Sequence, residues 1–219
     1  MGISELMQGT EDFKKQSFKK HKERYIDLVK KGQSPKALFI GCCDSRVVPS
    51  LITNSNPGDL FVVRNIGNFI PPFKPDVDFH GTAAAIEYAV SMLGVTDIIV
   101  CGHSHCGAIE GVYQRDKIDP DSMIHVKKWL ELGEKAKKVI ENIDKVEEFS
   151  PRQKLEMTEQ ISVVFSLQNL LSYPTVLEKV NAGTLSIRGW YYRIESGEIE
   201  FYDDDKMEFL PIGETTTQE

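Results

Sequence analysis

The sequence predicts an α/β fold: a mostly parallel central β-sheet flanked by helices, with an N-terminal helical arm and a C-terminal hairpin. Three features lead there. Short continuous apolar runs, Ala37–Cys42 and residues 97–101 (DIIVC), have the length and uniform hydrophobicity of strands buried on both faces. Helix-sized segments separate such runs, the alternation that produces parallel strands. Near the end, residues 184–194 and 198–202 alternate in polarity around Ser196-Gly197, a hairpin pattern.

In chain order, the first thirty residues are polar, with apolar residues at Leu6, Phe13, Phe18, Tyr25, Ile26, Leu28 and Val29. That spacing predicts a helix ending near Gly32, so residues 1–32 form the arm. Residues 33–203 form the α/β domain. Its first strand is Ala37–Cys42, and the second is residues 59–64, after the turn signal Asn56-Pro57-Gly58. Residues 81–93, rich in alanine, form a helix closed by Gly94. The third strand is residues 97–101. Residues 118–180 are mostly helical, with Pro151 and Pro174 each marking a helix start. Residues 204–219, acidic and ending in GETTTQE, are expected to be a disordered tail.

Composition excludes several classes. The net charge of -7 argues against nucleic-acid binding, which needs clustered Lys and Arg for phosphate contacts. The apolar runs fall far short of the ~20 residues of a spanning helix, so no membrane partner is expected. The first 25 residues carry no apolar signal-peptide core, so a cytoplasmic location is expected. In that setting the four cysteines, Cys42, Cys43, Cys101 and Cys106, suit a metal or reactive role better than a disulfide framework.

In parallel sheets, ligands bind beyond the carboxyl ends of the strands. Cys42 ends the first strand, His103 follows the third, and Cys106 stands where the next helix begins. Two thiolates and one imidazole suit zinc, and three protein ligands with one open position is the catalytic arrangement. Other readings stand beside this one. Cys101, inside a strand, reads as a small packed hydrophobe, and so does Cys43, although its adjacency to Cys42 leaves the register open. Asp44 and Ser45 have the chemistry of helix N-caps. Phe61 and Tyr88 have the character of core aromatics. His105 reads as a solvent-facing or capping residue, with proton transfer as the alternative.

Cys42-x-Asp44-x-Arg46 followed by His103-x-x-Cys106 resembles the paired signature of β-class carbonic anhydrases. Further blocks resemble the family in order and spacing: Lys31-Gly32-Gln33-Ser34-Pro35, the run from Pro57 to Asn65 (PGDLFVVRN), and Ala84-Ala85-Ile86-Glu87-Tyr88-Ala89. The resemblance implies one zinc per subunit on Cys42, His103 and Cys106. It implies reversible hydration of carbon dioxide to bicarbonate, with hydroxide generated at the metal as the attacking group. Asp44, paired with Arg46, would orient that hydroxide; in some members the equivalent aspartate instead binds the metal and closes the site. Gln33, reaching in from a partner subunit, would bind bicarbonate, Phe61 and Tyr88 would wall the apolar side, and the Gly107 N–H would donate to a bicarbonate oxygen. Gln33, Phe61 and Tyr88 together, with Phe39 where the closed type typically has Trp, imply the open type. A homodimer embraced by the N-terminal arms is implied, with tetramers formed from paired dimers. The alternatives are hydrolysis of carbon disulfide or carbonyl sulfide on the same scaffold, a non-catalytic zinc protein that has kept the fold, and a dithiol redox protein. Asp44 and Arg46 argue against the second, and the lack of a C-x-x-C pair against the third.

Overall fold

The computed structural model describes residues 1–76 and 78–212. Six strands, β1 (Ala37–Cys42), β2 (Leu60–Asn65), β3 (Asp97–His103), β4 (Ser186–Tyr192), β5 (Ile199–Asp203) and β6 (Glu208–Pro211), form one sheet in the order β2-β1-β3-β4-β5-β6. The first four strands in that order run parallel, and β5 and β6 are antiparallel additions. Every residue of β1 is buried, which is why its sequence shows no polar alternation.

The helices are α1 (Ile3–Asp12), α2 (Phe18–Lys31), α3 (Pro49–Ile52), α4 (Gly81–Glu87), α5 (Gly107–Tyr113), α6 (Ile124–Trp129), α7 (Glu134–Glu147), α8 (Pro151–Leu170) and α9 (Pro174–Asn181). The N-terminal helix is present with a π-turn, Phe13–Ser17, between α1 and α2, and it ends at Gly32 with φ 81°. α1 buries no residue. α2 is tied to the domain by Arg24, which pairs with Asp59. The helix over 81–93 is likewise α4 followed by a π-turn, stopped at left-handed Gly94. Pro151 and Pro174 open α8 and α9 as their sequence positions require.

One face of the sheet carries Leu38, Ile40, Ile98 and Val100 against Ile86 and Val90 on one side and Val163, Leu167 and Leu170 of α8 on the other. The chain leaves β1 for β2 on one side and comes back to β3 on the other. The loops after β1 and β3 therefore diverge and leave a crevice at their carboxyl ends.

The expectation of a disordered tail from residue 204 fails over Glu208–Pro211. β6 pairs with β5, Leu210 is buried, and Phe209 packs on Tyr191 and Tyr202 with ring centroids 6.0 and 5.3 Å away. Burial of those two apolar side chains outweighs the acidic flank. The sheet thus extends past residue 203, and residues 213–219 lie outside the described residues.

Candidate metal centre and active site

Cys42 closes β1, and His103 closes β3 beside it. The chain then turns sharply. Ser104 is fully buried, and its amide donates to Tyr192 O at 2.9 Å. Its hydroxyl donates to Glu195 at 2.6 Å and accepts from the Ile194 amide at 2.9 Å. His105 follows in the left-handed region, φ 56°, a conformation few non-glycine residues adopt. Cys106 is then the N-cap of α5.

This turn brings the Cys42 and Cys106 sulfurs and a His103 ring nitrogen within 4.8 Å of one another, all three residues buried. His103 Nδ1 lies 2.8 Å from Ser104 O, which accepts only, so Nδ1 carries the proton and Nε2 presents a lone pair. Nε2 is buried and finds no hydrogen-bond partner. An orphaned imidazole nitrogen facing two thiols fits a thiophilic cation in this space. The protonation chemistry agrees. With protons alone available, Cys106 is pushed up by its hydrogen bond to Cys42 and by burial, while Cys42 is pulled down as the acceptor. Burial works against charge on His103, but the negative charge of Cys42 beside it outweighs this and moves the imidazole upward.

Asp44 is outside this trio, with both its oxygens engaged by Arg46. Arg46 Nε donates to Oδ1 at 2.9 Å and Nη2 to Oδ2 at 2.7 Å, and the Arg46 amide adds a third bond at 3.0 Å. This fork holds the Asp44 carboxyl well below the usual carboxylate range. Arg46 Nη2 also donates to His105 O at 2.9 Å, joining the loop after β1 to the turn after β3. Arg64 of β2 braces the same loop, donating to Cys42 O at 2.9 Å and Asp44 O at 2.7 Å. The Gly67 amide reaches Cys42 Sγ at 3.4 Å. Gly107 opens α5 with open space beside its Cα, and its N–H is among the donors that a helix's first turn leaves unsatisfied.

The chain thus gathers Cys42, Asp44, Arg46, His103, Cys106 and Gly107 at one end of the sheet. It does not gather Gln33, Phe61 and Tyr88 there. Phe61 pairs with Leu38, four residues or about 13 Å of strand before Cys42. Tyr88 stacks on Phe61 at 5.9 Å and is 45% exposed. Gln33 is exposed and precedes β1 at its amino end. His105 is half-exposed, 3.6 Å from Glu195. Cys101 is buried in β3, where burial pushes its thiol up to about 12, and Cys43 is exposed.

Sequence reasoning missed the support behind the turn. Glu159 of α8 is 2% exposed, and its carboxylate accepts from the Cys106 amide at 3.0 Å. The available signal was its spacing: Glu159 falls in line with Val163, Leu167 and Leu170 on the buried stripe of α8. Among the described residues one further trio, Asp76, Asp78 and His80, approaches ligand spacing. All three are exposed, with His80 held by Asp76 at 2.6 Å.

A carbonic anhydrase family model matches residues 37–199. A carbonic anhydrase of Synechocystis is 38% identical over 95% of this chain and 74% of its own length. One of Helicobacter pylori is 38% identical over 98% of this chain and 96% of its own. Among solved structures, the β-carbonic anhydrase CcaA superposes with a TM-score of 0.88 at 37% identity, covering 95% of this chain and 91% of that one. A tetrameric β-carbonic anhydrase of Sordaria macrospora gives 0.77 at 28% identity, covering 91% and 95%.

Proposed function

This chain belongs to the carbonic anhydrase family, in its β class, and from that premise we propose that it hydrates carbon dioxide reversibly with one zinc ion per subunit held by Cys42, His103 and Cys106. The observation that carries the metal assignment is the buried trio with its orphaned His103 Nε2. Zinc in that position would supply Lewis acidity that eases loss of a proton from water, less strongly than with three neutral ligands because two thiolates offset its charge.

The chain's own residues supply orientation. Asp44, kept ionised by Arg46, can only accept hydrogen bonds. It accepts from the attacking hydroxide and so turns an oxygen lone pair toward the carbon of carbon dioxide. A C–O bond forms, the π pair moves onto a carbonyl oxygen, and bicarbonate results; the proton given up by water leaves to buffer. Arg46, anchored also on His105 O, keeps Asp44 off the cation, which supports the open type of site. The Gly107 N–H donates to a bicarbonate oxygen. Gln33, Phe61 and Tyr88 act on the site of a second subunit, a reading supported by their position at the far end of the sheet and by the exposure of Tyr88. The arm, residues 1–32, would embrace that subunit: α1 buries nothing of its own chain and exposes Ile3, Leu6 and Met7. Tetramers of such dimers are consistent with the tetrameric relative.

Stopped-flow hydration of carbon dioxide, with zinc content measured on the same samples, tests the assignment. Asp44→Ala is expected to keep zinc and lose on the order of 10²-fold or more in rate. Cys42→Ser and Cys106→Ser are expected to lose the metal. Stoichiometric zinc in either serine variant rejects the ligand set, and full activity in Asp44→Ala rejects the orienting role.

A further inference from the structure

The turn that carries His103 and Cys106 is held by partners from separate elements: Ser104 N on β4, Ser104 Oγ on Glu195, His105 O on Arg46 and Cys106 N on Glu159. The last differs in kind. The Cys106 amide belongs to an N-cap residue, outside the α5 hydrogen-bond ladder, and among the described residues no backbone carbonyl accepts from it. A buried carboxylate takes it instead. Glu159 in turn accepts from Arg152 Nη1 and Nη2 at 3.1 Å each and from the Tyr191 hydroxyl at 2.6 Å. Its two oxygens therefore receive four donors. An ionised carboxylate this buried is costly unless so compensated. A glutamine could accept the Cys106 N–H, but its amide nitrogen would then face donors from Arg152 and Tyr191.

We propose that Glu159 is a positioning residue for the metal site. Its carboxylate, locked by Arg152 and Tyr191, fixes the backbone of Cys106, and thereby the direction of the Cys106 sulfur, from a helix that contributes no ligand. The inference rests on Cys106 being a zinc ligand. It differs from a purely structural role, in which Glu159 would only hold α8 on the sheet.

The test measures zinc transfer from the holoenzyme to a chromogenic chelator, together with the thiolate-to-metal charge-transfer absorption of cobalt-substituted protein. The variants are Glu159→Gln, Tyr191→Phe and Leu167→Ala. Leu167 lies two turns further along the same buried face of α8 and does not touch the turn, so its truncation loosens the helix without altering Cys106. Glu159→Gln is expected to release zinc about 10- to 100-fold faster and to shift the cobalt band. Tyr191→Phe, which removes one donor and keeps the carboxylate, is expected to do the same to a smaller extent and serves alone if Glu159→Gln does not fold. Leu167→Ala is expected to lower thermal stability with release rate and band unchanged. Wild-type release and an unshifted band in the folded Glu159 and Tyr191 variants overturn the proposal, as does Leu167→Ala releasing zinc as fast as they do. If wild type itself takes up no zinc, the metal assignment fails instead, which is a separate result.

Discussion

Burial divides the cysteines before any metal enters. Cys43 is exposed, whereas Cys101 is fully buried with its thiol pushed up to about 12 by desolvation. A thiol-reactive dye at mild alkaline pH should therefore label Cys43 on the native, zinc-loaded protein and spare Cys101 until the chain unfolds. Chelation should add Cys42 and Cys106 to the reactive set; prompt labelling of all four with zinc bound contradicts the site. Asp44 gives a pH prediction at the same scale. Arg46 depresses its folded-state pKa, so the pair's stabilisation is present above the unfolded value of about 3.9 and is lost as pH falls through the lower folded value. In metal-free protein, the urea-stability gap between wild type and Arg46→Ala should be widest above about pH 5 and shrink below about pH 4. A gap that stays constant to the lowest accessible pH removes the ion pair as its cause. The ligand types were readable at this scale, because cysteine and histidine at strand ends have few other uses. Arg64 and Glu159 were not, because a side chain's partner across the fold leaves no local mark on the sequence.

At the level of elements, local rules placed most boundaries. Ala37–Cys42 is a strand because six consecutive buried positions admit no polar residue. α8 begins at Pro151 because Ser150 and Gln153 form a capping box, with the Ser150 hydroxyl accepting from the Gln153 amide at 3.3 Å. Ser150→Ala should cost about 1 kcal/mol in chemical denaturation. Gly102→Ala should cost more, about 1–3 kcal/mol, because the added methyl would lie 2.6 Å from Val163 Cγ2, where α8 presses on β3. Gly102→Ala matching wild type in stability would mean that α8 can move away from the sheet. β6 was missed: Phe209 and Leu210 form too short an apolar run to stand out, and their burial depends on aromatic partners on β4 and β5. The π-turns in the arm and after α4 were also invisible, since they change hydrogen-bond register and not composition.

Across the whole molecule, the proposed pocket is divided between the two ends of the sheet, and a single chain does not close it. Phe61 and Tyr88 stand about one strand length from Cys42, and Gln33 precedes β1 at its amino end. Mixed refolding of two inactive chains, Cys42→Ser and Tyr88→Ala, should restore about a quarter of wild-type activity if subunits pair in a two-fold dimer. Half of such dimers are hybrids, and each hybrid carries one site with both halves intact. No recovery would place Tyr88 outside the partner's site. The arm is tested with it: Gly58, at φ 89°, leaves room for Leu28 of α2, and a Cβ there would sit 2.7 Å from that side chain, so Gly58→Ala should loosen the arm and weaken dimerisation in sedimentation. The sequence alone determined the α/β class, the two ligand-bearing turns and the family, because these depend on residue type and spacing along the chain. Tertiary structure decided which groups meet: that Arg46 occupies both oxygens of Asp44, that a glutamate from a distant helix holds Cys106, and that Phe61 and Tyr88 stack on each other well before the Cys42 end of the sheet. Those outcomes depend on how the sheet orders and orients its strands in space, and contacts between segments far apart in sequence have no local periodicity to reveal them.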